Sequence, residues 1–188
     1  MHDATNLTGK TLIAMPDMGD TRFDRSVILL CAHSYEGAMG LIINVPSEGI
    51  TLAHLAEQLD IEADAGFQNR PVHTGGPVEQ ERGFVLHTAD YTSAISTLTV
   101  NQDISMTGTL DVIEDLVEGT GPDVAMICLG YCGWGPGQLE SELAQNAWLV
   151  GDASLPLIFA TPDARKWEAA LANENISALT LSSTAGRA

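Results

Sequence analysis

The stretch Val124-Ala-Met-Ile-Cys-Leu-Gly-Tyr-Cys-Gly-Trp-Gly-Pro-Gly137 decides how this chain is read. Its first half, Val124 to Leu129, is almost wholly apolar, the pattern of a strand buried on both faces. Its second half carries four glycines and a proline and runs into a helix through Leu139 and Leu143. Open α/β sheets place ligands where a strand gives way to a glycine loop and a helix N-terminus. The nucleotide fingerprints fail here, however. A phosphate loop requires Gly-Lys-Ser/Thr, and this segment has no lysine. A dinucleotide fold carries its glycines after the first strand, not in the middle of the chain. Three readings of the loop remain, in falling order: a tight corner around Trp134, a generic binding surface, or a phosphate-binding turn.

Short β-branched runs at Thr11–Met15, Ser26–Ala32 and Ala38–Val45 predict strands, the last two joined by a hairpin at Tyr35-Glu36-Gly37. Leu52, Leu55, Ala56 and Leu59 recur with helical spacing behind Thr51, a good N-cap. Gly75-Gly76-Pro77 marks a turn, Gly83–His87 and Ile95–Val100 predict strands, and Ile104–Thr107 offers a pairing partner. A second helical stripe, Leu110, Ile113, Leu116 and Val117, stops at Gly119-Thr-Gly-Pro122. Trp148–Val150 reads as a short strand, and Thr161-Pro162 starts a final helix through Trp167, Ala170 and Leu171. Strands outnumber helices without regular alternation, and no repeat or linker divides the chain. The expectation is one mixed α/β (α+β) domain over residues 1–188.

Charge narrows the partners. Eight Lys+Arg against 25 Asp+Glu give a net charge of −17, and no Lys or Arg occurs from Gly83 to Ala164. Tight nucleic-acid binding depends on cations that neutralise phosphates, so direct DNA contact is disfavoured, as is docking on an anionic membrane. Any anionic ligand must be met by the few arginines of the first half or by backbone N–H groups. The three cysteines suit no disulfide framework. No apolar run approaches the ~18 residues of a membrane span. The start, Met-His-Asp-Ala-Thr, lacks the basic and apolar regions of a signal peptide. A cytoplasmic protein is expected.

Several side chains could carry chemistry. Cys132 lies between a buried strand and a helix, where a helix N-terminus lowers a thiol pKa, yet Gly130-Tyr-Cys-Gly misses the nucleophile elbow because position 134 is Trp. His33, His73 and His87 each stand at the edge of an apolar run, where a hydrogen-bonded structural histidine is the commoner occupant. Cys128 and Cys132 without a second pair make a weak zinc signal, and Asp17, Asp20 and Asp24 lack the alternation of a calcium loop. No metal or cofactor is expected. Glu140 and Glu142, two apart near a helix start, fall on different faces and favour the helix dipole rather than forming a catalytic pair.

The motifs, taken in order, resemble the YqgE/AlgH family of bacterial proteins. The matching pieces are Leu12-Ile-Ala-Met-Pro16, Phe23 with Arg25-Ser-Val27, Gly37-Ala-Met-Gly-Leu-Ile-Ile-Asn44, Gly75-Gly-Pro77 and Arg82-Gly-Phe-Val-Leu-His-Thr88. They continue with Leu129-Gly-Tyr131, Trp134, Gly137-Gln-Leu-Glu140, Glu142 and Asn146-Ala-Trp-Leu149. The resemblance implies a compact domain with a barrel-like mixed β-sheet flanked by helices. It implies no agreed reaction, although members carry the label of transcriptional regulator. Relatives usually hold a small residue such as alanine at the position of Cys132, so no family-wide reaction can rest on that thiol. The polar stretch before Gly75 is also shorter and more acidic here than in some relatives.

A binding or interaction protein is therefore the first expectation, acting on a protein partner or small molecule, with any regulatory effect indirect. Its surface is expected from the family segments: Met15, Pro16, Asn44, Gly75, Gly76, Pro77, His87, Tyr131, Trp134, Gln138 and Glu140, with the aromatics as anchors. The alternative is an enzyme with a hydrolase-like pocket of His33, His87 or Asn44 beside the Gly130–Gly137 loop. A regulator that binds DNA directly is the poorest of the three.

Overall fold

The long strand Ala125–Trp134 organises the molecule. The computed structural model describes residues 5–16, 18–63 and 70–181. Among them ten strands make one curled, largely antiparallel sheet. In chain order they are β1 (Lys10–Ala14), β2 (Val27–Ser34), β3 (Gly37–Ile42), β4 (Pro46–Thr51), β5 (Pro71–Thr74), β6 (Val78–Thr88), β7 (Leu98–Thr99), β8 (Ile104–Thr107), β9 (Ala125–Trp134) and β10 (Trp148–Asp152). The helices are α1 (Leu52–Gln58), α2 (Asp111–Glu118), α3 (Gln138–Ala144) and α4 (Asp163–Asn173). No helix among the described residues is long and apolar enough to cross a membrane.

The two halves of β9 belong to different parts of the sheet. Ile127–Leu129 pairs in parallel with β5, and Ala125–Leu129 pairs antiparallel with β6. Beyond Gly130, Cys132–Trp134 pairs with β3, which continues through β2 and β1 to β10. Gly130 makes the switch with a left-handed φ of 73°. The Gly75-Gly76 backbone crosses it so closely that a Cβ on Gly76 would lie 2.1 Å from the Tyr131 carbonyl carbon. A Cβ on Gly130 would lie 2.3 Å from the Gly76 carbonyl oxygen. These glycines exist for chain crossing.

Period-two alternation places apolar side chains on both faces of the sheet. Ile13, Val27, Leu29, Leu41, Phe84, Leu86, Met126 and Cys128 pack in one core with Trp167 and Leu171 of α4. Leu12, Ile28, Leu30, Ile42, Cys132, Trp134 and Trp148 form the opposite core under Leu139 of α3. A third core lies around Val72, Val85 and Ile127 beneath α1 and α2. The double burial expected of Val124–Leu129 follows directly: Met126 and Cys128 enter the first core and Ile127 the third.

Three local expectations change. The glycine loop is shorter than its composition predicts, because β9 continues through Trp134 and only Gly135-Pro136-Gly137 turns the chain. The strand expected over Ile95–Val100 shrinks to Leu98–Thr99, while Ser93 Oγ accepts the Ile95 and Ser96 N–H groups to hold a local turn. Thr161 does not cap α4. Its hydroxyl donates to the Pro156 carbonyl at 2.9 Å, closing a π-helical turn over Pro156–Ala160, and extended Pro162 precedes the helix.

Candidate functional site

The residues that gather into a site lie where β9 ends. Cys132 and Trp134 share one face of the strand, and the turn after Trp134 starts α3 alongside them. Gln138 is held at the turn by its Oε1, which accepts the Gly135 N–H at 3.1 Å. One helical turn on, Glu142 presents its carboxylate between two indoles. Its Oε2 accepts from Trp134 Nε1 at 2.9 Å and from Trp148 Nε1 at 2.7 Å, while Oε1 accepts from Gln138 Nε2 at 3.0 Å. The rings of Trp134 and Trp148 meet edge to face at 6.2 Å, and Phe23 meets Trp148 the same way at 5.6 Å.

A cleft of about 350 Å³ opens over this group, lined by Asp20, Arg22, Phe23, Pro77, Gln138 and Glu142 with the two indoles. Asp20 caps the Thr21–Phe23 turn and takes the Arg22 guanidinium on both oxygens, Nε to Oδ1 at 3.0 Å and Nη2 to Oδ2 at 2.7 Å. The Arg22 contact holds the Asp20 carboxyl below its usual range. Of the predicted surface, Pro77, Trp134 and Gln138 meet here, with Met15 next door: its N–H donates to the Ala147 carbonyl at 3.0 Å.

The other predicted residues do not converge with them. Asn44 braces a chain turn, accepting the Val27 N–H at 2.9 Å and donating to the Arg25 carbonyl at 2.8 Å. Gly75 and Gly76 are buried at the crossing, and Pro16 is exposed beyond the end of β1. Tyr131 points to the opposite face of β9 from Trp134 and packs edge to face on Phe84 at 5.8 Å. His87 has no exposure and lies under the other end of the sheet. Its Nδ1 must donate to the Thr88 carbonyl at 2.8 Å, so Nε2 accepts from the Thr107 hydroxyl at 2.8 Å. Burial lowers its pKa.

The pocket of His33, His87 and Asn44 beside the glycine loop is not assembled. His33 accepts the Leu7 N–H on Nδ1 at 3.0 Å, which leaves the proton on Nε2, donated to Glu140 Oε1 at 2.7 Å. Glu140 and Glu142 thus serve different faces of α3: one anchors His33, the other gathers the indoles. The Cys132 thiol is buried, donates to the Gly75 carbonyl at 3.5 Å, and is pushed by burial up to about 12, far from a thiolate nucleophile. Among the described residues no group of three or more His, Cys, Asp and Glu is placed to hold a metal. Asp17, one of the three loop carboxylates, lies outside them.

One charged cluster has no counterpart in the predicted surface. His73 Nε2 meets Asp163 Oδ2 at 2.9 Å, and Lys166 Nζ donates to Asp163 Oδ1 at 2.8 Å and to the Ile43 carbonyl at 2.7 Å. Lys166 is only 2% exposed. Burial raises the Asp163 carboxyl pKa, but the Lys166 contact and His73 outweigh it and hold the group low. The cluster joins the first turn of α4 to β5 and to the chain after β3, beside a cleft of about 420 Å³ that runs along the start of β9. Sequence reading missed Glu142, Trp148 and Arg22 as site members, and Asp163 and Lys166 as a pair. Only the Asp163/Lys166 spacing of three on a helix was a local signal.

Comparison with known proteins places this geometry. A family model described as AlgH-like (DUF179) matches residues 11–178. A UPF0301 protein of Ruegeria pomeroyi is 52% identical over 184 residues, covering 97% of this chain and all of the relative. One from Paracoccus denitrificans is 50% identical over 190 residues, covering both chains fully. The solution structure of the AlgH protein from Pseudomonas aeruginosa superposes with a TM-score of 0.82 at 40% identity, covering 100% of this chain and 99% of that one. A crystal structure of a Corynebacterium diphtheriae protein shares the fold, with a TM-score of 0.68 at 22% identity over 87% of this chain and 84% of that one. With its sequence matched from end to end and its curled sheet reproduced, the chain belongs to the AlgH-like, UPF0301 family.

Proposed function

We propose that this chain is a cytoplasmic binding protein whose recognition site is the cleft over Trp134, Trp148 and Glu142, and that any regulatory effect passes through the partner bound there. The observation that carries the reading is the fixed carboxylate: three neutral donors orient Glu142 at the floor of an open cleft, as in a preformed recognition site. The enzymatic alternative is weaker, because His33 and His87 spend both ring nitrogens on internal hydrogen bonds and Asn44 likewise spends its amide. Direct DNA contact is weaker still. Lys10, Arg22, Arg82, Arg165 and Lys166 are each paired with a carboxylate, and Arg25 lies over the Trp167 ring. The buried free thiols Cys31, Cys128 and Cys132 suit a reducing compartment.

A ligand screen read by the indole N–H signals in NMR tests the proposal. Trp167 serves as internal control, since its Nε1 donates to the Ala14 carbonyl at 2.9 Å inside the first core. Ligands found by thermal shift should move the Trp134 and Trp148 signals and leave that of Trp167 in place. Ligands that stabilise the protein while leaving both cleft indoles unmoved would overturn the assignment.

A further inference from the structure

We infer that the group recognised in this cleft is an organic cation, an alkylammonium or a guanidinium, held against Glu142 and the aromatic rings; the inference rests on the cleft being the binding site. Three ionised side chains line the cleft: Asp20, Arg22 and Glu142. Arg22 and Asp20 neutralise each other through a two-point contact. Glu142 is different. Its hydrogen bonds come from two indoles and an amide, all uncharged, so its orientation is fixed while its charge is not balanced.

The wider charge distribution points the same way. No Lys or Arg occurs between Arg82 and Arg165, so the segment that builds β9, α3 and β10 supplies no cation of its own. An anionic ligand would meet Glu142 in a chain of net charge −17. A divalent metal would need several oxygen ligands in one shell, and the described residues assemble no such group. An organic cation needs one carboxylate and aromatic surface beside it. The cleft offers Glu142 flanked by the remaining exposed surface of Trp134 (7%) and Trp148 (5%), while the Phe23 face is already covered by the Arg22 guanidinium 5.4 Å from its centroid.

The test titrates the full chain at fixed ionic strength and follows the three indole signals. Paired probes differ only in charge: N-acetylargininamide against N-acetylcitrullinamide, and n-butylammonium against n-butanol, with butyrate as the anion. Saturable movement of the Trp134 and Trp148 signals is expected with the cations, and affinity roughly tenfold weaker for the neutral isosteres. Tighter binding of the arginine derivative assigns the cation to a polypeptide partner; tighter binding of butylammonium assigns it to a small amine. Glu142→Gln keeps an acceptor for the indoles and should lose the preference for charge. Gln145→Lys, on an exposed lining residue, should block the cations with a tethered ammonium while the Trp167 signal reports an intact fold. Equal binding of neutral and charged probes, or preference for butyrate, overturns the cation assignment but leaves the site. Failure of every probe to move either cleft indole removes both.

Discussion

Alanine at Gly130 should be far more damaging than alanine at Gly137, although both glycines have nearly the same backbone conformation. Their φ angles are 73° and 72°, so both substitutions carry the left-handed penalty of about 1–2 kcal/mol. At Gly137 a Cβ meets nothing within 4 Å, and that penalty is the whole cost. At Gly130 the new Cβ would stand 2.3 Å from the Gly76 carbonyl oxygen, 3.0 Å from that of Val78 and 3.2 Å from Gln80 Cα. All three are backbone atoms, so no side chain can rotate away, and the strands must separate. Overpacking of that kind costs a further ~1–3 kcal/mol, for a total of roughly 2–5 kcal/mol. In a domain of this size each kcal/mol lowers Tm by about 2–4 °C. Calorimetry should therefore show a drop of roughly 4–20 °C for Gly130→Ala against roughly 2–8 °C for Gly137→Ala. A Gly130 variant no less stable than the Gly137 variant would refute the close crossing of the Gly75-Gly76 backbone over β9.

Other consequences can be measured on the same preparations. Lys166→Met leaves Asp163 facing His73 alone and should cost about 3 kcal/mol in urea unfolding, with Asp163→Asn added to it recovering part of the loss; a cost below about 1 kcal/mol would show the cluster to be incidental. Burial depresses the pKa of His73 and His87 below the ordinary 6.5, so their contribution is complete above that value and is lost as pH falls and the unfolded chain takes up protons. The unfolding free energy from urea titrations should fall from pH ~6.5 downward, by as much as about 1.4 kcal/mol per pH unit for each proton, and a flat profile there would contradict the burial of both rings. Burial pushes the Cys128 and Cys132 thiols up to about 12, so iodoacetamide should label neither in the native protein and both in urea, as read by mass spectrometry.

Local patterns in the sequence were legible where one face or one cap decides the outcome. Short apolar, β-branched runs located β1, β2 and β3, the stripe behind Thr51 located α1, and Gly119 in the left-handed conformation ended α2 as expected. Composition misled where long-range pairing overrode it. Gly133 reads as loop, yet β3 supplies a hydrogen-bonding partner that keeps β9 extended past it. The site was legible in part, since Pro77, Trp134 and Gln138 all come from segments singled out in the sequence. Its composition was not, because Trp134 and Trp148, on strands that are not neighbours in the sheet, both donate to Glu142. His87 drew attention as a polar residue beside an apolar run and Asn44 as the end of a family segment; both are polar because a backbone group needs a partner there.

The position of β9 late in the chain also bears on how the protein is made. Until Ala125–Trp134 leaves the ribosome, β3, β5 and β6 each lack a neighbour that the native sheet gives them. The β2–β3 and β6–β8 hairpins can form early, because their strands lie close in sequence. Their apolar faces and unpaired edges must then wait in the open through synthesis of the intervening segment. Slowing translation just before Ala125 should therefore lengthen a vulnerable, aggregation-prone interval, whereas slowing it after Trp134 should matter little.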